Sequence, residues 1–167
     1  MKHTISILVE NRFGVLARVA GLFSARGYNI DSLTVSETQD KTISRMTVVV
    51  NAEDEKILEQ IKKQLNKLID IITVVDYTKK EYIERELVFI KIAVDKKSLP
   101  VIKKMVDKAG KIGSASGLAV ARILDKKNDS IIVELVDDQE RIKNFLAGLK
   151  DFKVVEVVRS GRIAIAK

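Results

Sequence analysis

The chain has 167 residues, 46% hydrophobic and 32% charged with a formal net charge of +7, a composition typical of a globular protein with a substantial core. It contains no cysteine, which excludes disulfides, thiolate nucleophiles and cysteine-ligated zinc, and its single histidine, His3, leaves little room for histidine-based catalysis. Its apolar runs are far shorter than the roughly 18 residues of a membrane helix, and no signal peptide is evident, so we expect a cytoplasmic protein with no membrane partner.

Apolar residues in the first half alternate in some stretches and recur at helical spacing in others. Alternation predicts strands over 4–10, 30–38, 42–50 and 71–77. Helical spacing predicts one helix that begins after Gly14 and stops near Gly27, and a second helix capped by Asn51. The apolar faces of these helices consist of Val15, Leu16, Val19, Leu22 and Phe23, and of Ile57, Leu58, Ile61, Leu65 and Leu68.

The second half repeats this order after a charged stretch. Strands are predicted over 87–94, 117–124, 130–136 and 154–158. Ser98 is the predicted cap of the third helix, whose first turn contains Pro100, where a missing N–H costs little. Asp137 or Asp138 is the predicted cap of the fourth helix. The apolar faces of these helices consist of Leu99, Ile102, Val106 and Ala109, and of Ile142, Phe145, Leu146 and Leu149.

Each half therefore has the order βαββαβ. This order predicts an α+β fold of two ferredoxin-like units, each a four-stranded antiparallel sheet with two helices on one face. We assign a first domain to 1–78, a linker to 79–86 and a second domain to 87–167. The open face of such a sheet needs a cover, and its Ile/Val alternation predicts sheet-to-sheet or edge-to-edge association.

The positive charge is confined to the second half. Residues 1–78 contain ten Lys or Arg and ten Asp or Glu, whereas residues 79–167 contain twenty and thirteen. This asymmetry indicates two units with different roles. A solvated lysine-rich surface is the simpler explanation, and docking to an acidic partner surface is the alternative.

Only the first half has a glycine between its first strand and its first helix. Without a Cβ, Gly14 allows a ligand to approach the backbone, and the first N–H groups of a helix favour an anion. The amides of Gly14, Val15 and Leu16 are therefore candidates to bind a carboxylate. Asn11 has a donor and an acceptor, so its side chain could bind an ammonium group or cap the helix.

Asn29 has the same versatility and lies at the far end of that helix, next to Ile30. These groups suit a small zwitterion, an amino acid, better than a phosphate, because Arg12 is the only adjacent basic residue in the sequence. Each residue also has an ordinary structural explanation. Asn11 is consistent with a helix cap, Gly14 with a turn glycine and Asn29 with a left-handed turn residue.

Five segments together resemble one family. The first is ISILVENRFGVLARVAGLFSARGYNIDSLTV at 5–35, and the others are SRMT at 44–47, LEQIKKQLNKL at 58–68, EREL at 84–87 and VRSG at 158–161. The first segment resembles the ACT domain of the small, regulatory subunit of acetolactate synthase, also called acetohydroxyacid synthase. The resemblance covers essentially the whole chain, and this combination is specific to that subunit.

The resemblance implies a non-catalytic subunit whose ACT domains pair side by side, so that two four-stranded sheets become one of eight strands. It implies an effector at the pair interface, valine, with leucine and isoleucine as alternatives. Asn11 and the backbone of Gly14, Val15 and Leu16 would come from one protomer, and Asn29 and Ile30 from the other. Leu16 and Ile30 would contribute to the pocket for the effector side chain. The bulky pair Arg12-Phe13 departs from the small polar residues typical of this turn.

The resemblance also implies a separate catalytic large subunit in branched-chain amino-acid biosynthesis. That subunit would carry thiamine diphosphate, Mg²⁺ and FAD and condense two pyruvates to 2-acetolactate and CO₂, whereas this chain would hold no cofactor and no metal. The small subunit would activate the large one, and valine would give feedback inhibition. We expect the basic second half, with its lysines Lys103, Lys104 and Lys108, to contribute to docking.

Three other functions compete with this interpretation. An independent enzyme is disfavoured because His3 has no carboxylate positioned nearby in the sequence. A nucleic-acid-binding module of the same fold needs aromatic residues on its central strands, and the segment 44–50 has none. An ACT module that regulates a different amino-acid enzyme is the third alternative.

Overall fold

The computed structural model describes residues 2–51, 55–78, 80–115 and 120–167. Within these ranges the strands are β1 (Lys2–Glu10), β2 (Ile30–Glu37), β3 (Ile43–Asn51), β4 (Ile71–Asp76), β5 (Tyr82–Ala93), β6 (Val120–Lys126), β7 (Ser130–Asp137), β8 (Val154–Arg159) and β9 (Ile163–Ala166). The helices are α1 (Val15–Ser24), α2 (Glu55–Leu65), α3 (Ser98–Ala115) and α4 (Gln139–Gly148). The chain divides into two compact units: residues up to Ile83 together with Gly161–Lys167, and Glu84–Ser160.

The first unit is built on a four-stranded antiparallel sheet in the order β2-β3-β1-β4. Its strands present alternate residues to α1 and α2, so Ile5 and Ile7 of β1 and Val48 of β3 are completely buried. Full burial of each such side chain contributes about 1.5–3 kcal/mol. The helices add their own apolar stripes, including Phe23 of α1 and Ile61 of α2, to the same core.

The opposite face of this sheet contains polar side chains that are buried beside Val49. Thr4, Ser6 and Thr47 are 4%, 1% and 2% exposed. Part of the cover comes from the C-terminal segment, since Arg162 Nη1 donates to Thr4 Oγ1 at 3.0 Å and the Arg162 amide donates to Ser32 Oγ at 3.1 Å. Thr4 and Ser32 thus gain a hydrogen-bond partner from a residue distant in sequence.

The second unit repeats the arrangement, with the strand order β6-β7-β5-β8 and antiparallel pairing. Val88, Ile90 and Ile92 of β5 form the centre of its core under α3 and α4. The structure therefore confirms the predicted α+β fold of two βαββαβ units. Within the described ranges, no helix is both long and apolar enough to cross a membrane.

The domain boundaries in the structure differ from the expected ones at two places. β5 begins at Tyr82, within the expected linker 79–86, and Gly161–Lys167 belongs to the first unit although we assigned 87–167 to the second domain. Of the charged residues that suggested a linker, Glu84, Arg85 and Glu86 lie in β5. The charge of Glu86, which is 7% exposed, is compensated because the carboxylate accepts from Arg159 Nη2 at 2.6 Å and from Arg159 Nε at 2.9 Å.

The predicted helix caps have different outcomes. Asp138 caps α4, as its Oδ1 accepts from the Arg141 amide at 2.9 Å. The prediction that Ser98 caps α3 is wrong, because Asp95 is the capping residue. Asp95 Oδ1 accepts from the Ser98 backbone N–H at 2.7 Å, and Ser98 Oγ in turn accepts from the Asp95 backbone N–H at 2.8 Å. Asn51 is the last residue of β3, and its predicted role as a cap involves residues 52–54, which lie outside the described ranges.

Candidate functional site

The first turn of α1 leaves backbone donors open. Gly14 precedes the helix with φ 81° and ψ −7°, and no side chain caps this end. The Val15 amide donates to Arg12 O at 3.3 Å and the Arg18 amide to Gly14 O at 3.0 Å. The backbone N–H groups of Gly14, Leu16 and Ala17 donate to no acceptor in the described part of the chain. This turn can therefore offer several N–H groups to an anion, with the positive end of the helix dipole behind them.

A cation that the sequence analysis missed lies beside this turn. A Cβ built on Gly14 would lie 3.1 Å from Arg18 Nη1. The guanidinium is held in place by Asp70, whose Oδ2 accepts from Arg18 Nε at 2.8 Å. The hydrogen bond from Arg18 holds the pKa of Asp70 below its usual value of 3.8, and the charge of Arg12 acts in the same direction. The spacing from Gly14 to Arg18 is visible in the sequence, but the contact with Asp70 is not.

Asn11 connects the turn to the hairpin between β2 and β3 and does not cap α1. The Asn11 backbone N–H donates to Thr42 O at 2.7 Å, and the side-chain Nδ2 donates to Lys41 O at 2.8 Å. Its Oδ1 makes no hydrogen bond with the described residues, and the residue is exposed. This oxygen can accept a hydrogen bond from an ammonium group.

The two apolar residues at the start of the helix have different surroundings. The Val15 side chain is 2% exposed and belongs to the core, so only its backbone is available to a ligand. Leu16 is 43% exposed, and Phe13 is fully exposed. Leu16 can therefore contribute apolar surface next to the open amides.

Asn29 and Ile30 lie at the other end of α1. The Asn29 side chain is exposed, and its Nδ2 donates to Asp31 Oδ1 at 2.8 Å. Ile30 begins β2 and packs partly against the core. A helix of ten residues is about 15 Å long, which is longer than a small amino acid. In one chain, therefore, the six predicted residues form two separate groups, one at each end of α1.

The sheet has an edge through which a second copy could complete the site. β2, which begins at Ile30, pairs with β3 on one side, and within the described ranges no strand pairs with its other edge. Such an edge presents unpaired N–H and C=O groups to another chain. The geometry thus places the predicted residues in two groups, with a free sheet edge next to the group at Asn29 and Ile30.

Both halves of the chain match models of known families. A family described as an AHAS small subunit-like ACT domain matches residues 5–73, and a family described as the small subunit of acetolactate synthase matches residues 85–167.

Full-length relatives give the same result. The chain is 42% identical over 167 residues to the probable acetolactate synthase small subunit of Archaeoglobus fulgidus, with 100% of this chain and 98% of the relative covered. It is 39% identical over 168 residues to the acetolactate synthase isozyme 3 small subunit of Salmonella typhimurium, with 100% and 96% covered.

A solved structure extends the similarity to the fold. The crystal structure of the acetolactate synthase small subunit from Thermotoga maritima superposes with a TM-score of 0.83 at 30% identity, covering 100% of this chain and 98% of that one. The chain thus belongs to the family of acetolactate synthase small subunits, with an ACT domain in its first half.

Proposed function

We propose that this chain pairs through its ACT domain, binds valine between the two copies and transmits feedback inhibition to a separate catalytic large subunit, which it also activates. The observation that carries this proposal is the separation of the two half-sites by the length of α1. One valine reaches the turn at Gly14 and the corner at Asn29 together only when they come from different copies. Binding then depends on the dimer, as a regulatory ligand requires.

Each part of valine has a complementary group. The carboxylate fits the open amides of Gly14 and Leu16, with the Arg18 guanidinium close by. The ammonium group fits Asn11 Oδ1. The branched side chain fits between the exposed part of Leu16 and Ile30 of the second copy. A phosphate would leave the apolar surface and the asparagine acceptor unused, which favours an amino acid.

Side-by-side pairing of two β2 edges gives an eight-stranded sheet and pairs the open N–H and C=O groups of that edge. A ligand that contacts both copies stabilises the arrangement in which both half-sites face each other. It shifts the equilibrium by at most its difference in affinity for the two arrangements. A decisive shift takes about 5.5 kcal/mol, which two sites per dimer supply more easily than one.

The catalytic reaction would take place in the large subunit. The catalytic large subunit would hold thiamine diphosphate, Mg²⁺ and FAD and condense pyruvate in the cytoplasm, and this chain would act without turnover of its own. We assign docking to the basic second half, where Lys103 and Lys104 are exposed on α3. Reversal of these two charges should weaken complex formation and reduce its dependence on salt. Complex formation that is unchanged in both respects would remove the second half from the docking surface.

Calorimetry of the full chain with valine, combined with its mass in solution, tests the proposed site. We expect two valines per dimer at this site. Leucine and isoleucine should displace valine from it only weakly, and serine, phenylalanine and lysine should not displace it. Asn11→Ala and Asn29→Ala should each weaken valine binding by about tenfold, which corresponds to about 1.4 kcal/mol. Asn128→Ala, an exposed asparagine of the second unit, is the matched control and should bind as the parent does. Valine bound with equal affinity by a monomer would overturn the split site.

A further inference from the structure

A cavity of about 380 Å³ lies in the second unit between α3 and α4, at the end of β7. Its apolar walls include Met105 of α3, Leu135 of β7 and Phe145 of α4. Gly148 helps to fix the Met105 wall, because a Cβ at this position would lie 3.0 Å from Met105 Cε. The end of the Met105 side chain therefore lies against the backbone of Gly148 at one side of the cavity.

A buried carboxylate lines this cavity. Asp137, the last residue of β7, is 3% exposed. Its Oδ1 accepts from the Asp138 amide at 2.8 Å, and the ion pair from this oxygen to Arg141 Nη1 is long at 3.8 Å. Burial raises the pKa of Asp137, and the neighbouring charge of Asp138 acts in the same direction. The hydrogen bond from the Asp138 amide and the charges of Arg141 and Arg85 oppose this rise in the pKa and do not cancel it, so the buried carboxylate favours an additional hydrogen-bond donor with a positive charge.

Two cationic side chains also line the cavity. Arg141 of α4 is 38% exposed along its side chain, and Lys108 of α3 is exposed. With one buried anion, two cations nearer to solvent and apolar walls, the cavity has complementary groups for a zwitterion that carries an apolar substituent. Neither a simple anion nor a purely apolar molecule would use all three features.

We propose that this cavity is a second amino-acid site, separate from the turn at Gly14. The ligand class is a free α-amino acid with an apolar side chain. Its ammonium group would bind Asp137, its carboxylate would bind Arg141 and Lys108, and its side chain would pack against Met105 and Phe145. The site lies entirely in the second unit, so it does not depend on the proposed valine site.

Methyl NMR of the full chain, labelled at the methionine methyl groups, tests this proposal. The chain has three methionines. Met105 lines the cavity, Met46 lies in the core of the first unit and is the internal reference, and Met105→Leu assigns the signal. Leucine and phenylalanine, at millimolar concentrations, should shift the Met105 signal and leave that of Met46 in place. The absence of a Met105 shift with either amino acid would overturn the site.

Ligand fragments and one pair of variants test the assigned chemistry. 3-Methylbutylamine, which lacks only the carboxylate of leucine, and 4-methylvalerate, which lacks only the ammonium group, should each bind at least tenfold more weakly than leucine. Asp137→Asn keeps the acceptor for the Asp138 amide and removes the charge, so it should weaken leucine binding about tenfold or more. Asp107→Asn, on the exposed side of α3, is the matched control and should bind leucine normally. Equal binding of leucine and 3-methylbutylamine, or undiminished binding of leucine by folded Asp137→Asn, would overturn the amino-acid assignment.

Discussion

Arg18 places its guanidinium against the bare backbone of Gly14, one helical turn earlier. Nη1 lies 3.1 Å from the position that a Cβ on Gly14 would take, and the glycine has φ 81°, which other residues rarely adopt. A side chain at this position is thus disfavoured on two grounds: the backbone strain at this φ, and a tight contact that the Arg18 side chain has to move to relieve. Both grounds lead to predictions for valine binding.

Gly14→Asp should abolish valine binding and the valine inhibition of the reconstituted holoenzyme. The new carboxylate would lie next to Arg18 and the open amides, where we place the carboxylate of the ligand. Gly14→Ala should retain weakened binding and lose about 1–2 kcal/mol of stability, because alanine is strained at this φ. Calorimetry and an inhibition assay measure both effects.

Gly21→Ala is the matched control, since Gly21 lies in the same helix and a Cβ there would meet nothing within 4 Å. This variant should bind valine normally and gain about 0.5–1 kcal/mol of stability from helix propensity. Valine inhibition that survives in Gly14→Asp would place the effector elsewhere.

Protonation of Asp70, which holds Arg18 beside the turn, should make the stability of the protein depend on pH. Its pKa is below the usual 3.8 because it accepts from Arg18, so this carboxylate contributes stability that is present above pH 3.8 and is lost as the pH falls through the folded pKa. Asp70→Asn should therefore be less stable than the parent at neutral pH, and the difference should shrink under acid conditions. It should also bind valine severalfold more weakly, because Arg18 loses its anchor.

Thermal unfolding of the parent and Asp70→Asn between acid and neutral pH measures this effect. Arg18→Gln should reproduce the loss, and the double variant should lose little more than either single change, as expected for two residues of one interaction. Additive losses would mean that Asp70 and Arg18 act independently.

Local patterns predicted the strands and helices because each rests on the periodicity of a few neighbouring residues. Ile5, Ile7 and Val9 alternate along β1 and face the core, and Asp138 caps α4. The sequence also places the candidate site residues at the two ends of α1, and their role in binding stays a prediction. The structure adds that these ends are too far apart for one ligand in one chain.

Contacts between distant residues could not be predicted from such patterns. Arg18 and Asp70 are 52 residues apart, and Arg162 and Thr4 are 158 residues apart. No repeating pattern in the sequence therefore indicates either contact. The four residues of β9 are too few for alternation to be distinguished from chance. Glu86 made the start of β5 resemble a solvated linker, because its partner Arg159 lies 73 residues away.

Asp137 should reduce the stability of the second unit at neutral pH. Its pKa is raised by burial, so the folded state favours the protonated carboxyl. The contribution of Asp137 to stability is therefore fully present below the unfolded pKa near 3.8 and is lost as the pH rises through the folded pKa. Asp137→Asn removes this ionisation. It should unfold a few degrees higher than the parent at pH 7, and the gain should vanish near pH 3.8. A calorimetric scan at both pH values measures this, and a variant that is less stable than the parent at pH 7 would contradict it.

Gly161 holds the C-terminal segment on the first unit. It has φ 82°, and a Cβ there would lie 2.6 Å from Thr34 Oγ1 and 3.0 Å from Ser32 Oγ, both on β2. Gly161→Ala should therefore displace the segment and weaken the hydrogen bonds from Arg162 to Ser32 and Thr4. We expect a loss of about 2–4 kcal/mol, from backbone strain and steric overlap together.

Gly27→Ala separates these two contributions. Gly27 has a similar φ of 69°, but a Cβ there would meet nothing within 4 Å, so this variant should show the strain alone, about 1–2 kcal/mol. Urea unfolding gives both values, and limited trypsin digestion should cut after Arg162 faster in Gly161→Ala than in Gly27→Ala. Equal losses and equal cleavage rates would mean that the close approach to Thr34 does not hold the segment in place.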